Sequence, residues 1–214
     1  MELDQIKTEY ELKQFEGLCD RAKAFVFDWL LSDKDHTGII NAIYNGNILN
    51  NKFSPIEQIF NICYYRYIGS KFSQGENLHG VPIGIVFQEE FIAQEEIEIE
   101  TKHINTECNA VEFATHRYIA DFVIDFSRKN SNDKYLYPSI KNLKYIIELD
   151  GHEYHSDKKQ VNNDYEREQD LQTAGYKVIR FTGSQVYNKP YSCIEKLITI
   201  IINDIKGVLQ NGDL

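Results

Sequence analysis

Residues Tyr145 to Gln185 read YIIELDGHEYHSDKKQVNNDYEREQDLQTAGYKVIRFTGSQ, and no other stretch of the chain says as much about its fold. An apolar run, Tyr145 to Ile147, leads into Glu148-Leu149-Asp150-Gly151. Side chains alternate along a strand, so Glu148 and Asp150 share one face and two carboxylates end the strand together. Gly151 breaks the strand and His152 and His155 follow in the turn. Ser156 or Asp157 then caps a helix from Lys158 to Ala174, which Gly175 ends. The β-branched and aromatic residues from Lys177 to Thr182 predict another strand, with Arg180 facing away from Ile179 and Phe181. The unit reads strand, helix, strand.

Upstream, His116 to Phe126 has apolar residues on both faces, as a central strand would. Asp121 is the odd residue, because an aspartate inside an apolar strand costs desolvation unless it is paired or binds metal. Placed on neighbouring strands, Asp121, Glu148 and Asp150 bring three anions together, an arrangement stable only with protons or a cation. Hard oxygen ligands without thiolate favour Mg²⁺ or Mn²⁺ over zinc. Such a cation holds a phosphate oxygen, lowers the pKa of a bound water and offsets the charge that builds as a phosphodiester breaks.

Glu148-Leu149-Asp150-Gly151 is followed by two histidines, then by Asp164, Arg167, Leu171 and Gly175 at helical spacing, then by Ile179-Arg180-Phe181-Thr182-Gly183-Ser184. Together these residues resemble the restriction-endonuclease-like PD-(D/E)XK nucleases, and among them the very-short-patch-repair-like branch. The resemblance is tight over 145–185, looser back to Ser54 and absent before it. It implies an α/β fold, a restriction-endonuclease-like core with a mixed central sheet flanked by helices, here with an N-terminal helical addition. It also implies a metal-dependent endonuclease hydrolysing phosphodiester bonds in DNA, in repair, restriction or phage defence, with Mg²⁺ as cofactor and Mn²⁺ as substitute.

Residue by residue, Asp121 and Glu148 match the family's metal ligands, with Asp150 as a third ligand or as a group orienting water. Asp150 stands where the family pattern has lysine, and a carboxylate cannot supply that lysine's positive charge; Ala120 stands in place of the pattern's proline. Lys158, Lys159 and Gln160 at the helix start are the candidates to take over the lysine's work, and the sequence does not choose among them. Glu57, on a helix preceding the core, and His155, where the very-short-patch-repair-like branch keeps a histidine, are further candidate catalytic groups. Lys158, Lys159 and Arg180 are the candidates for contact with the DNA.

Each assignment has a plainer reading beside it. Glu57 completes a capping box with Ser54, and His152 and His155 could simply bond the turn. Arg180 could pair with Asp164 or Glu148, and Asp164 with Arg167 along one helix. A non-catalytic module of the same fold, binding nucleic acid or protein, is the alternative function. Idle buried acids are costly, so retention of all three speaks against it.

A chain of 214 residues can bury a sizeable core, and we expect a helical addition over 1–52 and a nuclease-like domain over 53–214. In the addition, Leu12, Phe15, Leu18, Cys19, Ala22, Phe25, Val26, Trp29 and Leu30 predict amphipathic helix from Glu2 to Leu31, with a short second helix over Ile39 to Leu49. Ser54-Pro55-Ile56-Glu57 opens a third. Ile85 to Ala93 and Ile97 to Ile99 predict a strand or hairpin, Arg128 to Asn142 a polar loop, and Pro190 the start of an isoleucine-rich helix. That helix is expected to be buried or to dock against a partner.

The net charge of −10 sits poorly with DNA binding, but 128–189 carries eleven basic and nine acidic side chains, a balance of +2, so the remainder holds −12. The glutamates from Glu89 to Glu112 hold much of that excess and read as a solvated face, a protein-partner surface or a self-inhibiting segment. A homodimer or protein partner through this 89–112 region or through the C-terminal helix is expected. Cys19, Cys63, Cys108 and Cys193 are scattered without a CxxC pair, which argues against a zinc site or a disulfide framework. Without an apolar run or a leader-like start, a cytoplasmic location is expected.

Overall fold

The computed structural model describes residues 13–32, 53–73, 77–78, 81–82, 91–105, 110–128, 140–150 and 158–211. The expected helix over Ile39 to Leu49 and most of the loop after Arg128 lie outside them. In chain order the main elements are α1 (Asp20–Ser32), α2 (Pro55–Ser73), β1 (Asn77–Leu78), β2 (Val81–Pro82), β3 (Phe91–Asn105), β4 (Ala110–Asp125), β5 (Lys144–Asp150), α3 (Lys158–Thr173), β6 (Tyr176–Thr182), α4 (Gly183–Asn188) and α5 (Pro190–Asn211). They fall into two compact units, Met1–Phe87 with Thr182–Thr199, and Gln88–Phe181 with Ile200–Leu214.

The first unit is built on helices. The apolar spacing predicts one helix through Leu31, but α1 begins only at Asp20, after a 3-10 turn over Lys13–Gly17. The Gln58 side chain accounts for the break. It accepts the Cys19 N–H at 2.9 Å and donates to the Gly17 carbonyl at 3.2 Å, so backbone groups that would continue a helix are tied to α2 instead. α1 packs on α2, burying Ala22, Val26 and Leu30, and Arg66 of α2 reaches Asp28 and Ser32 at 2.5 and 3.1 Å. The six-residue helix α4, which sequence patterning misses, is closed by a capping box of Thr182 and Gln185 and packs on α2.

The second unit holds a four-stranded sheet in the order β3-β4-β5-β6. β3 and β4 form a long antiparallel hairpin, and β5 pairs antiparallel with β4. The crossover through α3 returns β6 beside β5 and makes the sheet mixed. One face carries Ile97, Ile99, Ala120, Val123, Ile146 and Tyr176 in a single core cluster with Leu171 of α3. On the other face the Tyr145 hydroxyl donates to Asp204 near the end of α5 at 3.0 Å, and Lys177 pairs with the same carboxylate at 2.9 Å. Helices therefore flank the sheet, and the α/β restriction-endonuclease-like architecture is the one observed.

Two details depart from the sequence expectation. The hairpin is far longer than Ile85 to Ala93 with Ile97 to Ile99, and part of the glutamate burst belongs to it. Ile97 and Ile99 point into the core while Glu96, Glu98 and Glu100 alternate outward, with Glu98 2.8 Å from Arg117 on the partner strand. Five of the six isoleucines of α5 (Ile194, Ile198, Ile201, Ile202 and Ile205) are 0–1% exposed and Ile200 is half-buried, so the stripe offered as a partner surface is covered by the chain's own packing.

Candidate active site

Glu148 lies in a strand whose five central residues, Tyr145 to Leu149, are all buried. The same burial on both faces that makes β5 a good central strand leaves this carboxylate with only 8% of the residue exposed. Alternation puts Glu148 with Ile146 on the face that α3 covers. β4 meets β5 with Phe122 opposite Ile147 and Val123 opposite Ile146, and one further step of that register brings Asp121 level with Glu148.

At that level the ladder itself is interrupted. The Asp121 carboxylate accepts the Leu149 N–H at 2.7 Å, so a side chain does the work of a strand carbonyl. On the other flank, Gln94 of β3 has φ 54°, and the pairing of β3 with β4 skips from Ala93–Phe122 to Glu95–Ala120. Ala120 and Val123, three residues apart, both belong to the core cluster on the α3 face. Strict alternation would send them to opposite faces, so the facing of the side chains changes at Asp121 while the register does not, one residue of each strand, Gln94 and Asp121, standing outside the ladder. The desolvation that singled out Asp121 in the sequence is thus met by a local hydrogen bond.

α3 and β6 each supply a cation. Arg167, which the sequence pairs most simply with Asp164, crosses instead to Glu148, with Nη2 to Oε1 at 2.6 Å. The same nitrogen donates to the Ile119 carbonyl at 3.2 Å, and the guanidinium lies 5.7 Å from the centre of the Tyr118 ring. Tyr118 is in turn fixed by its hydroxyl, 2.6 Å from Asp170. Arg180, on β6, pairs with Glu168 at 3.5 Å rather than with Asp164, and its buried Nε has no hydrogen-bond partner among the described residues.

Burial is the main reason that the Glu148 carboxyl is pushed up to about 7 from its ordinary 4.5. Arg167 opposes the shift, Asp121 adds to it by repulsion, and Arg180 opposes it more weakly. A buried carboxyl with a raised pKa beside a second carboxylate is a pair that a cation would relieve. The donors are hard oxygens, which fits Mg²⁺ or Mn²⁺ held by Asp121 and Glu148. Among the described residues no three His, Cys, Asp or Glu side chains converge to hold an ion, so Asp150, half-buried at the strand end, does not form a three-carboxylate cage with the other two. A magnesium ion commonly takes only one or two carboxylates and fills its shell with water and phosphate oxygens.

The other sequence candidates are distributed as follows. Lys158, Lys159 and Gln160 form the first turn of α3, and their side chains lie outside the described residues, as do His152 and His155 entirely. Glu57 belongs to the first unit, where its Oε2 accepts the Ser54 N–H at 2.6 Å and its own N–H meets Ser54 Oγ at 3.4 Å, the capping box expected of it. Arg167 entered the sequence reading as a motif residue and as a structural partner of Asp164, and its contact with Glu148 across to β5 is what that reading missed.

A family model of restriction-endonuclease-like proteins, REase_MTES_1575, matches residues 99–201, a span that takes in Asp121, Glu148, α3 and Arg180. The match reaches the restriction-endonuclease-like class and not the very-short-patch-repair-like branch. Among curated proteins and among solved structures nothing matches the chain. Together with the mixed sheet, the family match supports a restriction-endonuclease-like nuclease, a class that typically uses divalent metal ions.

Proposed function

We propose, from the likeness of residues 99–201 to restriction-endonuclease-like nucleases, that the chain is a metal-dependent endonuclease hydrolysing phosphodiester bonds in DNA. The observation that carries the reading is the bond from the Leu149 N–H to Asp121, which holds one carboxylate level with a second, buried one, Glu148. Asp121 and Glu148 would hold Mg²⁺, or Mn²⁺ in its place. Bound there, the ion supplies an activated water and offsets the charge that develops on the phosphate. The fold contributes position: β4 and β5 fix the two carboxylates side by side, while Arg167 and Arg180 offset their charge from the helix and from β6. Asp150, the last residue of β5, is the group assigned to orient water. Lys158, Lys159 and Arg180 are assigned to the phosphate backbone, and His155, Gln160 and Glu57 are the remaining catalytic candidates. The run Glu148-Leu149-Asp150-Gly151 with its two histidines supports kinship with very-short-patch-repair-like enzymes inside the class.

The test is incubation of the full chain with supercoiled, linear and single-stranded DNA and with RNA, in Mg²⁺, Mn²⁺ or chelator. Wild type is expected to nick or linearise DNA only with the ion, and Asp121→Asn or Glu148→Gln to slow this by roughly a thousandfold. Cleavage that survives both substitutions would sink the assignment, and cleavage of RNA alone would change the substrate. Metal binding without cleavage of any substrate would favour the non-catalytic module.

A further inference from the structure

We propose that Arg167 is the positioning residue of this site: it orients Glu148 through one carboxylate oxygen and supplies the fixed positive charge that the acidic strand end lacks. This rests on the nuclease reading above and concerns what readies Glu148 for its role. The strand end carries Glu148 and Asp150, with Asp121 level with Glu148 on β4, and no basic side chain of β5 stands between them. The cation in hydrogen-bond contact with Glu148 comes from α3, and it engages Oε1 at 2.6 Å.

Arg167 is itself constrained from two sides. Its Nη2 also donates to the Ile119 carbonyl at 3.2 Å, and its guanidinium stands over the Tyr118 ring, which Asp170 holds through a 2.6 Å hydrogen bond. Both anchors lie on β4, just ahead of Asp121, so the strand that carries one carboxylate also fixes the arginine that orients the other. An arginine held by a carbonyl, a ring and a carboxylate has little freedom left to lose, which is what a positioning group requires. Its charge cuts both ways: it stabilises Glu148 as an anion, and it repels a metal ion approaching the same carboxylate.

Those opposed effects give a signature that a merely structural arginine would lack. The full chain is compared with Arg167→Gln and Arg167→Lys by titration calorimetry with Mn²⁺ alone and by cleavage of supercoiled DNA at saturating Mn²⁺. With the competing charge removed, Arg167→Gln is expected to bind Mn²⁺ about tenfold more tightly. It is also expected to cleave about a hundredfold more slowly, because Glu148 is no longer held. Arg167→Lys keeps the charge but loses the planar fork, so it should bind Mn²⁺ within about twofold of wild type and cleave about tenfold more slowly. It decides the matter where Arg167→Gln does not fold. Weaker or unchanged Mn²⁺ binding in a folded Arg167→Gln, or wild-type cleavage in either variant, overturns the inference while leaving the nuclease reading intact. A wild type that neither binds Mn²⁺ nor cleaves overturns the nuclease reading and this inference with it.

Discussion

Glu148 is held between opposing influences. Burial and Asp121 favour its protonated form, Arg167 and Arg180 its ionised form, and the first pair prevails, leaving the carboxyl at about 7. A carboxyl whose folded pKa exceeds its unfolded value binds its proton more tightly in the folded state. Its contribution to stability is therefore complete below about 4.5 and is lost as the pH rises through about 7. Metal-free wild type should accordingly lose ground to Glu148→Gln as the pH rises from 5 to 8, by on the order of 2–3 kcal/mol. Urea unfolding at several pH values in chelator measures this. A stability difference that stays constant with pH would mean that Glu148 titrates like an exposed glutamate, and would remove the reason for expecting a cation to settle beside it.

At the scale of the element, the notable feature is the interruption in β3 and β4. Each strand carries one residue outside the regular pairing, Gln94 and Asp121, and the ladder continues in the same register on either side, with Ala93–Phe122 before and Glu95–Ala120 after. Gln94 adopts φ 54°, a left-handed conformation in which a side chain is strained and glycine is not. Gln94→Gly should therefore stabilise the hairpin, or at worst leave it unchanged, whereas Gln94→Val, with a β-branched side chain, should destabilise it by about 1–2 kcal/mol. Thermal melts of the two variants check this. If both variants melt at the same temperature, the left-handed residue stores no strain, and the interruption at Asp121 needs another cause.

At the scale of the whole molecule, the proposed function asks a chain of net charge −10 to gather a polyanion, and its acids would have to be neutralised locally before a phosphate could approach. On the proposed function a divalent ion would do this, and it would bind only the folded chain. Mg²⁺ at a hundred times its dissociation constant should then stabilise the wild type by about 2.7 kcal/mol, seen as a rise in melting temperature. Asp121→Asn and Glu148→Gln should lose that response while remaining as stable as wild type in chelator, or slightly more so. A wild type indifferent to both Mg²⁺ and Mn²⁺ would make the two acids structural. No described helix is long and apolar enough to cross a membrane, and the apolar stripe of α5 is spent inside the chain.

What the sequence by itself determined was the strand, helix and strand from Tyr145 to Thr182 and the anomaly at Asp121, because alternation, capping and desolvation are local and each leaves a mark on neighbouring residues. Glycine at 175 is one such mark: φ is +87° there, the left-handed turn by which α3 gives way to β6. Tertiary structure decided what depends on distant residues. The start of α1 is set by Gln58, some forty residues further on. The length of the β3–β4 hairpin depends on a register that pairs Glu98 with Arg117, and the glutamate burst gives no sign of it in composition. Above all, the partner of Arg167 is Glu148, nineteen residues earlier, and not the aspartate three residues away on its own helix. Spacing along a helix reports which side chains can meet on that helix, but it is silent about the strand beneath, and only the packing of α3 on the sheet put that arginine beside the carboxylate.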